Sequence, residues 1–326
     1  MNFLRSLPYL AMAGALAAST GICAQGTTSY PNKPVRVIVP FAPGGGTDIT
    51  TRAVAQKLTE KLGASFVVDN RAGANGVIGV DLVAKAAPDG YSLVVITSSH
   101  AINVSIYQKL PYDLMRDLTP ITEFSSQPFS LIVNPSLPAA SLKELTALAK
   151  AKPGTLTYGS SGQGGLSHLS GALYESIAGI KMTHVPYKGG APAMTDVIGG
   201  QISMLFATFQ QAGPHIKSGK LRVLAVTTLK RNASAPEVPT MSESGVPGYE
   251  AAQWFGLLAP AKTDRAIIAK LQPEIARILS DPEVKSRLAA DGADAVGSTP
   301  EQFAQHIRAE VAKWNKVVKQ IGLQQE

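Results

Sequence analysis

The sequence predicts an α/β protein of two lobes, and three observations carry that expectation. Short β-branched runs alternate with segments of helical apolar spacing, the alternation restarts near the middle of the chain, and each half holds a glycine-rich stretch between a strand and a helix.

In the first half, residues 35–39 form a strand candidate. Over 47–62, Ile49, Ala53, Val54, Leu58 and Leu62 fall on one helical face, and the next strand begins at 66–68. A helix over 77–87 stops at Pro88-Asp89-Gly90, and 93–96 is again a strand. This βαβαβ order implies a parallel sheet covered by helices.

The pattern restarts after Thr119-Pro120. Residues 131–133 read as a strand, and Ser141 with Glu144 make a capping box for a helix reaching Ala151. Strands at 156–158, 182–185, 204–206 and 221–226 alternate with helices at 166–178, 191–198 and 210–217. Residues 236–249, rich in Pro, Gly and Ser, form a loop, and 253–258 is a strand. The tail is helical: Thr299, Pro300 and Gln302 start a helix whose Phe303, Ile307, Val311, Trp314 and Val318 line one face. Two long segments, near 121–133 and 251–260, are suited to carry the chain into the second lobe and back.

Composition bounds the function. Residues 1–24 carry Arg5, then an apolar run too short to span a bilayer, then small residues around Ala24, the layout of a cleaved signal peptide. Cleavage after Ala24 removes Cys23, the single cysteine, which excludes disulfides, thiolate catalysis and cysteine metal sites in the mature chain. That leader holds no acidic residue, so its loss takes the formal charge from +7 to +6. The basic residues are scattered, without a dense run or an aromatic RNA-binding signature, which leaves a general attraction for anions rather than for nucleic acid.

The chemistry concentrates in the two glycine loops. In 40–48, PFAPGGGTD, three successive glycines bare their backbone N–H groups where a helix begins, and Thr47 adds a hydroxyl donor. In 158–165, YGSSGQGG, Ser160 and Ser161 do the same for the second lobe. Two such loops across a cleft grip a solute with one or two carboxylates; the alternative for each is a tight turn that permits close packing. Asp48 repels an anion, so its role is helix capping or contact with a ligand amine or bridging water. Thr97, Ser98, Ser99 and His100 follow a strand end, where open α/β sheets place ligands. His100 and His168 are weighed against a packing or capping role, and Lys188 against simple solvation.

Neither loop is a nucleotide motif. No Gly-Lys-Ser/Thr follows the first, and Ile49 and Ser167 stand where a dinucleotide fingerprint needs its third glycine, so no cofactor is expected. No histidine and carboxylate cluster has metal-ligand spacing. A serine hydrolase would pair Ser160 or Ser161 with His100, His168 or His184, yet Gln163 occupies the position where the nucleophile elbow requires glycine. No enzyme activity is expected.

These motifs together resemble the Bug family, the periplasmic binding components of tripartite tricarboxylate transporters. The resemblance runs through PFAPGGGTD, Asp69-Asn70-Arg71, Pro88-Asp89-Gly90-Tyr91, His100-Ala101-Ile102-Asn103, Tyr158 to Gly162, Val185-Pro186-Tyr187-Lys188-Gly189 and Val238-Pro239-Thr240. It implies a type II periplasmic-binding-protein fold: two α/β lobes joined by two crossing strands, with the ligand cleft between them. Lobe 1 would then comprise 25–125 and 251–326, and lobe 2 would comprise 126–250. The implied contacts are Phe41, Ala42, Gly45, Gly46, Thr47, Asp48, Thr97, Ser98, Ser160, Ser161, Gly164, Gly165 and His168, with Phe206, Ala207 and Thr208 as a wall. The implied role is capture of a small carboxylate in the periplasm, by a monomer, for one large and one small membrane permease subunit. The alternative partner is a membrane kinase for which the loaded protein serves as sensor.

Overall fold

The protein is described by a computed structural model over residues 30–323, except 42, 45, 188, 189 and 291. The signal segment with Cys23, and Ala42, Gly45 and Lys188, lie outside the described residues.

The first half runs β1 (Val35–Val39), α1 (Gly46–Leu62), β2 (Phe66–Asn70), α2 (Val77–Ala84), β3 (Ser92–Thr97) and α3 (Ser98–Ile106). β1 lies between β2 and β3, parallel to both. Its alternating side chains explain the two helical layers: Val35 and Val37 pack with Val54 and Leu58 of α1, while Ile38 packs with Val80 and Val83 of α2. β4 (Leu118–Val133) follows, then α4 (Leu142–Ala151), β5 (Thr157–Ser160), α5 (Leu166–Ala178), β6 (Thr183–Pro186), α6 (Gly190–Ile198), β7 (Met204–Thr208), α7 (Phe209–Lys217) and β8 (Arg222–Val226). The chain closes with β9 (Ala252–Pro260), α8 (Arg265–Ser280), α9 (Pro282–Ala290), β10 (Asp294–Ala295) and α10 (Pro300–Ile321).

The strand order is β2-β1-β3-β9-β4-β7-β5-β6, with β8 and β10 also paired to β4. β4 belongs to both halves. Its Leu118 to Pro128 stretch pairs antiparallel with β9, whereas Phe129 to Val133 pair with β7 and β8. The return path is tied at the same level, where Thr227 N–H donates to the Phe129 carbonyl and Ala251 N–H to that of Thr227. These are the two crossings expected near 121–133 and 251–260.

α10 packs against α3 and β4 of the first half and also reaches α5, where Ser176 Oγ donates to Gln320 Oε1 at 2.7 Å. Its start is a complete capping box of Thr299 and Gln302, as the sequence predicts. The largest apolar cluster accordingly runs through both halves, from Val80 and Ile96 by way of Ile307 and Trp314 to Leu169 and Tyr174.

Three elements differ from expectation. The helix predicted over 77–87 ends at Ala84. The box at Ser141 is half formed, because Glu144 accepts from the Ala140 N–H instead of that of Ser141. Residues 98–100, to which the sequence pattern assigns no element, are the first turn of α3: Thr97 caps it, and His100, weighed as a packing or capping residue, accepts the Thr97 N–H on Nδ1 in the place usually taken by Glu or Gln.

Apolar spacing also does not mark Glu310, which is buried on α10 while Val311 is only partly so. Its carboxylate accepts from the indole N–H groups of Trp254 (3.1 Å) and Trp314 (2.9 Å) and pairs with Lys313. Glu123 of β4 is buried too, and burial together with the neighbouring Glu310 pushes its carboxyl up to about 8. A carboxyl raised in the folded state contributes stability that is complete below its ordinary value near 4.5 and is lost as pH climbs through 8. Glu123→Gln should therefore exceed the parent in stability by on the order of 4 kcal/mol at pH 9 and by less than about 1 kcal/mol at pH 5, in paired denaturant melts. A gap of the same size at both values would contradict this.

Candidate functional site

The ends of strands from both halves meet at the crossing, and each is followed by the start of a helix. Two adjoining cavities of about 230 Å³ each open there. The first is lined by Gly46 and Thr47 at the start of α1, Gly190 at the start of α6, and Thr208 and Gln211 at the start of α7, over a wall of Phe206, Ala207 and Phe255. The second is lined by Ser99 at the start of α3 and Gly165 and Leu166 at the start of α5, with Phe41 and Asn75. Phe129, Ser161, Ser167 and Gln253 line both and form the partition. Among the described residues neither lining includes a charged side chain.

Positive potential in this cleft comes from backbone. The first N–H groups of a helix lack intrahelical acceptors, and each helix N-terminus is equivalent to about half a positive charge. Five helices present that end here, so an anion meets N–H donors, and the described lining residues include no Lys or Arg.

The side chains behind the lining shape the loops. Asp48 is buried, and its carboxylate accepts from Gly44 N–H (2.9 Å), Asn70 Nδ2 (3.0 Å) and Arg52 Nε (3.0 Å). Burial raises its pKa, yet the bonds from Arg52, Gly44 and Asn70 outweigh that and hold it below the ordinary 3.8. Asn70 also donates to the Phe41 carbonyl at 3.0 Å, fastening the loop to β2. In the second loop, His168 Nδ1 accepts the Gly164 N–H at 3.1 Å, and its ring stacks on His184 at a centroid distance of 3.8 Å. Burial pushes both histidines down to about 4, so at neutral pH they serve the loop as uncharged rings. Ser160 Oγ lies 2.6 Å from His184 Nε2 but is fully buried and lines neither cavity, out of reach of a solute in the cleft. His100 packs edge-on against Phe41, and Gly76, at φ +89°, makes room for it: a Cβ there would lie 2.4 Å from His100 Nε2.

The structure thus divides the residues singled out by sequence. Phe41, Gly46, Thr47, Ser161, Gly165, Phe206, Ala207 and Thr208 line the cavities, as does Ser99. Asp48, Thr97, Ser98, Ser160, Gly164 and His168 stand behind them as supports of the loops and helix caps. Sequence reasoning missed Gln127 and Gln253, which face each other in register on β4 and β9, and Gln211. The available signal was Gln253 at the head of an otherwise apolar strand; β4 holds several other polar residues, so Gln127 did not stand out.

A larger basin of about 990 Å³ opens between the connection at 107–116 and α10. It draws on a single half and on no strand-to-helix turn, so it lacks the converging donors of the cleft.

Two α/β halves on shared crossing strands, with a donor-rich cleft between them whose described lining is uncharged, define the two-lobed solute-binding class. Residues 50–323 match the tripartite tricarboxylate transporter family receptor (TctC), and the chain belongs to that family. It is 39% identical to Protein BugT of Bordetella pertussis over 325 residues, 99% of each chain. Among solved structures it is similar to R. palustris Rpa4515 with adipate, at 38% identity and a TM-score of 0.80, over 90% of this chain and 99% of that one. It is also similar to MatC (Rpa3494) from Rhodopseudomonas palustris with bound malate, at 31% identity and a TM-score of 0.75, over 89% and 100% of the two chains. Family members are periplasmic solute-binding receptors. The family and the type II binding-protein fold expected from the sequence are thereby established.

Asp48→Ala removes the acceptor on which the first loop is wound. It should weaken carboxylate binding tenfold or more in calorimetry and lower stability by about 2–3 kcal/mol at pH 7. Since the carboxylate is held below its ordinary value, that stability gap should narrow as pH falls from 3.8 through the lower folded value.

Proposed function

We propose that this chain is the exported receptor that captures a small carboxylate in the periplasm and delivers it to one large and one small membrane permease subunit. The observation that carries this reading is the cleft itself: five helix N-termini converge on cavities whose described lining is uncharged, an arrangement that favours a negatively charged solute of modest size. Adipate and malate, held by the two similar proteins, are such solutes. Lobe 1 comprises 25–125 and 251–326 and lobe 2 comprises 126–250, and ligand contact falls on the described lining residues of both glycine loops and, as the sequence motif implies, on Ala42 and Gly45. The protein acts as a monomer, without a cofactor and without catalysis; the burial of Ser160 supports the last point. Export uses the N-terminal signal segment, which is then cleaved after Ala24.

A thermal-shift screen of residues 25–326 against mono-, di- and tricarboxylates, each paired with its uncharged amide, tests this. A ligand at about a thousand times its Kd adds roughly 4 kcal/mol. The expected result is a stabilising acid whose amide is silent, with the shift lost in Gly46→Asp, which puts a negative charge at the start of α1. Silence across the acids, or stabilisation by the amides alone, contradicts the proposal.

A further inference from the structure

We infer that Gln253 reads the middle of the ligand, and that the cleft prefers a linear dicarboxylate carrying a hydroxyl or keto oxygen on an internal carbon. The inference rests on the carboxylate-binding role proposed above and narrows it.

The cavities suit the two ends of such a molecule, since each is lined by starts of helices: α1, α6 and α7 in one, α3 and α5 in the other. The partition between them is where a solute that spans both must pass. Its four side chains differ in what they have left to offer. Phe129 is apolar. Ser161 and Ser167 bond to each other, with hydroxyls 3.1 Å apart and the Ser161 N–H donating to Ser167 Oγ at 3.0 Å, which leaves the pair one O–H. Gln253 keeps two donors.

Its amide is oriented from behind. The fully buried Ser98, in the first turn of α3, donates its hydroxyl to Gln253 Oε1 at 2.9 Å. With the oxygen taken, Nε2 and its two N–H groups are left for the cleft, and among the described residues nothing accepts from them. Gln127 opposite is likewise an amide and not a charge. Donors at the midpoint of a site are satisfied by an oxygen at the midpoint of the ligand. A plain methylene chain displaces water there and returns no acceptor, which sites built for a hydrogen bond penalise.

Calorimetry on straight-chain dicarboxylates of about four to six carbons, in matched pairs with and without an internal oxygen (malate against succinate, 2-oxoglutarate against glutarate), tests this with three proteins. The parent should bind the oxygenated member tenfold or more tightly than its partner. Gln253→Met, close in shape but without donors, should bring that ratio near one while leaving the affinity for the plain acid within about threefold. Ser98→Ala, at a residue that lines neither cavity, should lower the ratio in the same direction with the plain acid unaffected, since its hydroxyl acts through Gln253. Equal affinities in the parent, or an equal loss for both members of a pair in Gln253→Met, overturns the role of Gln253 and leaves the carboxylate receptor standing. Absence of binding by every diacid in the parent overturns both.

Discussion

The structure turns on convergence: five helices following strands begin at one cleft, and their partial charges add. Ordinary α/β geometry produces this, because helices follow the carboxyl ends of parallel strands and those ends face a single crevice. Two halves sharing β4 bring two such sets of ends together. The potential is fixed in the backbone, so it survives without any cation on the described lining, and no mobile side chain must be ordered to create it.

A cluster of helix N-termini has its own requirements, and the residues behind the lining meet them. Asp48 supplies the negative charge that anchors the first loop, and Arg52 and Asn70 occupy it so fully that it does not compete with a ligand. The stacked His168 and His184 support the second loop with nitrogen acceptors and no charge, because burial keeps both rings neutral. Burial also explains why Ser160 and His184, a pair that in an open cleft would suggest catalysis, act as a brace. Beneath β4 and β9 the problem is reversed: Glu310 is buried between two indole donors with Lys313 paired to it, and the buried Glu123 lies within reach of its charge.

Much of this was legible in the chain. The strand and helix alternation located nearly every element, and both glycine loops sit where the sequence placed them, because local periodicity and backbone freedom determine those features. What was not legible depends on where side chains turn once the chain is packed. Asp48 and His168 were marked as candidate contacts from their position in the motifs, and only packing shows that they face Arg52, Asn70 and Gly164. α3 was hidden because a histidine completes its capping box. Gln127 and Gln253 gain meaning only when β4 and β9 pair in register and the two halves close around them. Glu310 interrupts an apolar face for the sake of two indoles, one of them 56 residues away.

The central claim is that anion capture takes place on backbone N–H groups of helices from both lobes. The most direct measurement is an amide nitrogen and proton NMR titration of the mature protein with the acid that stabilises it best. The account predicts that the amides of Gly46, Ser99, Leu166, Ser167 and Gly190 shift together with one dissociation constant. Shifts confined to the basin around Arg308, Lys316 and Lys319, with those amides unmoved, would contradict it.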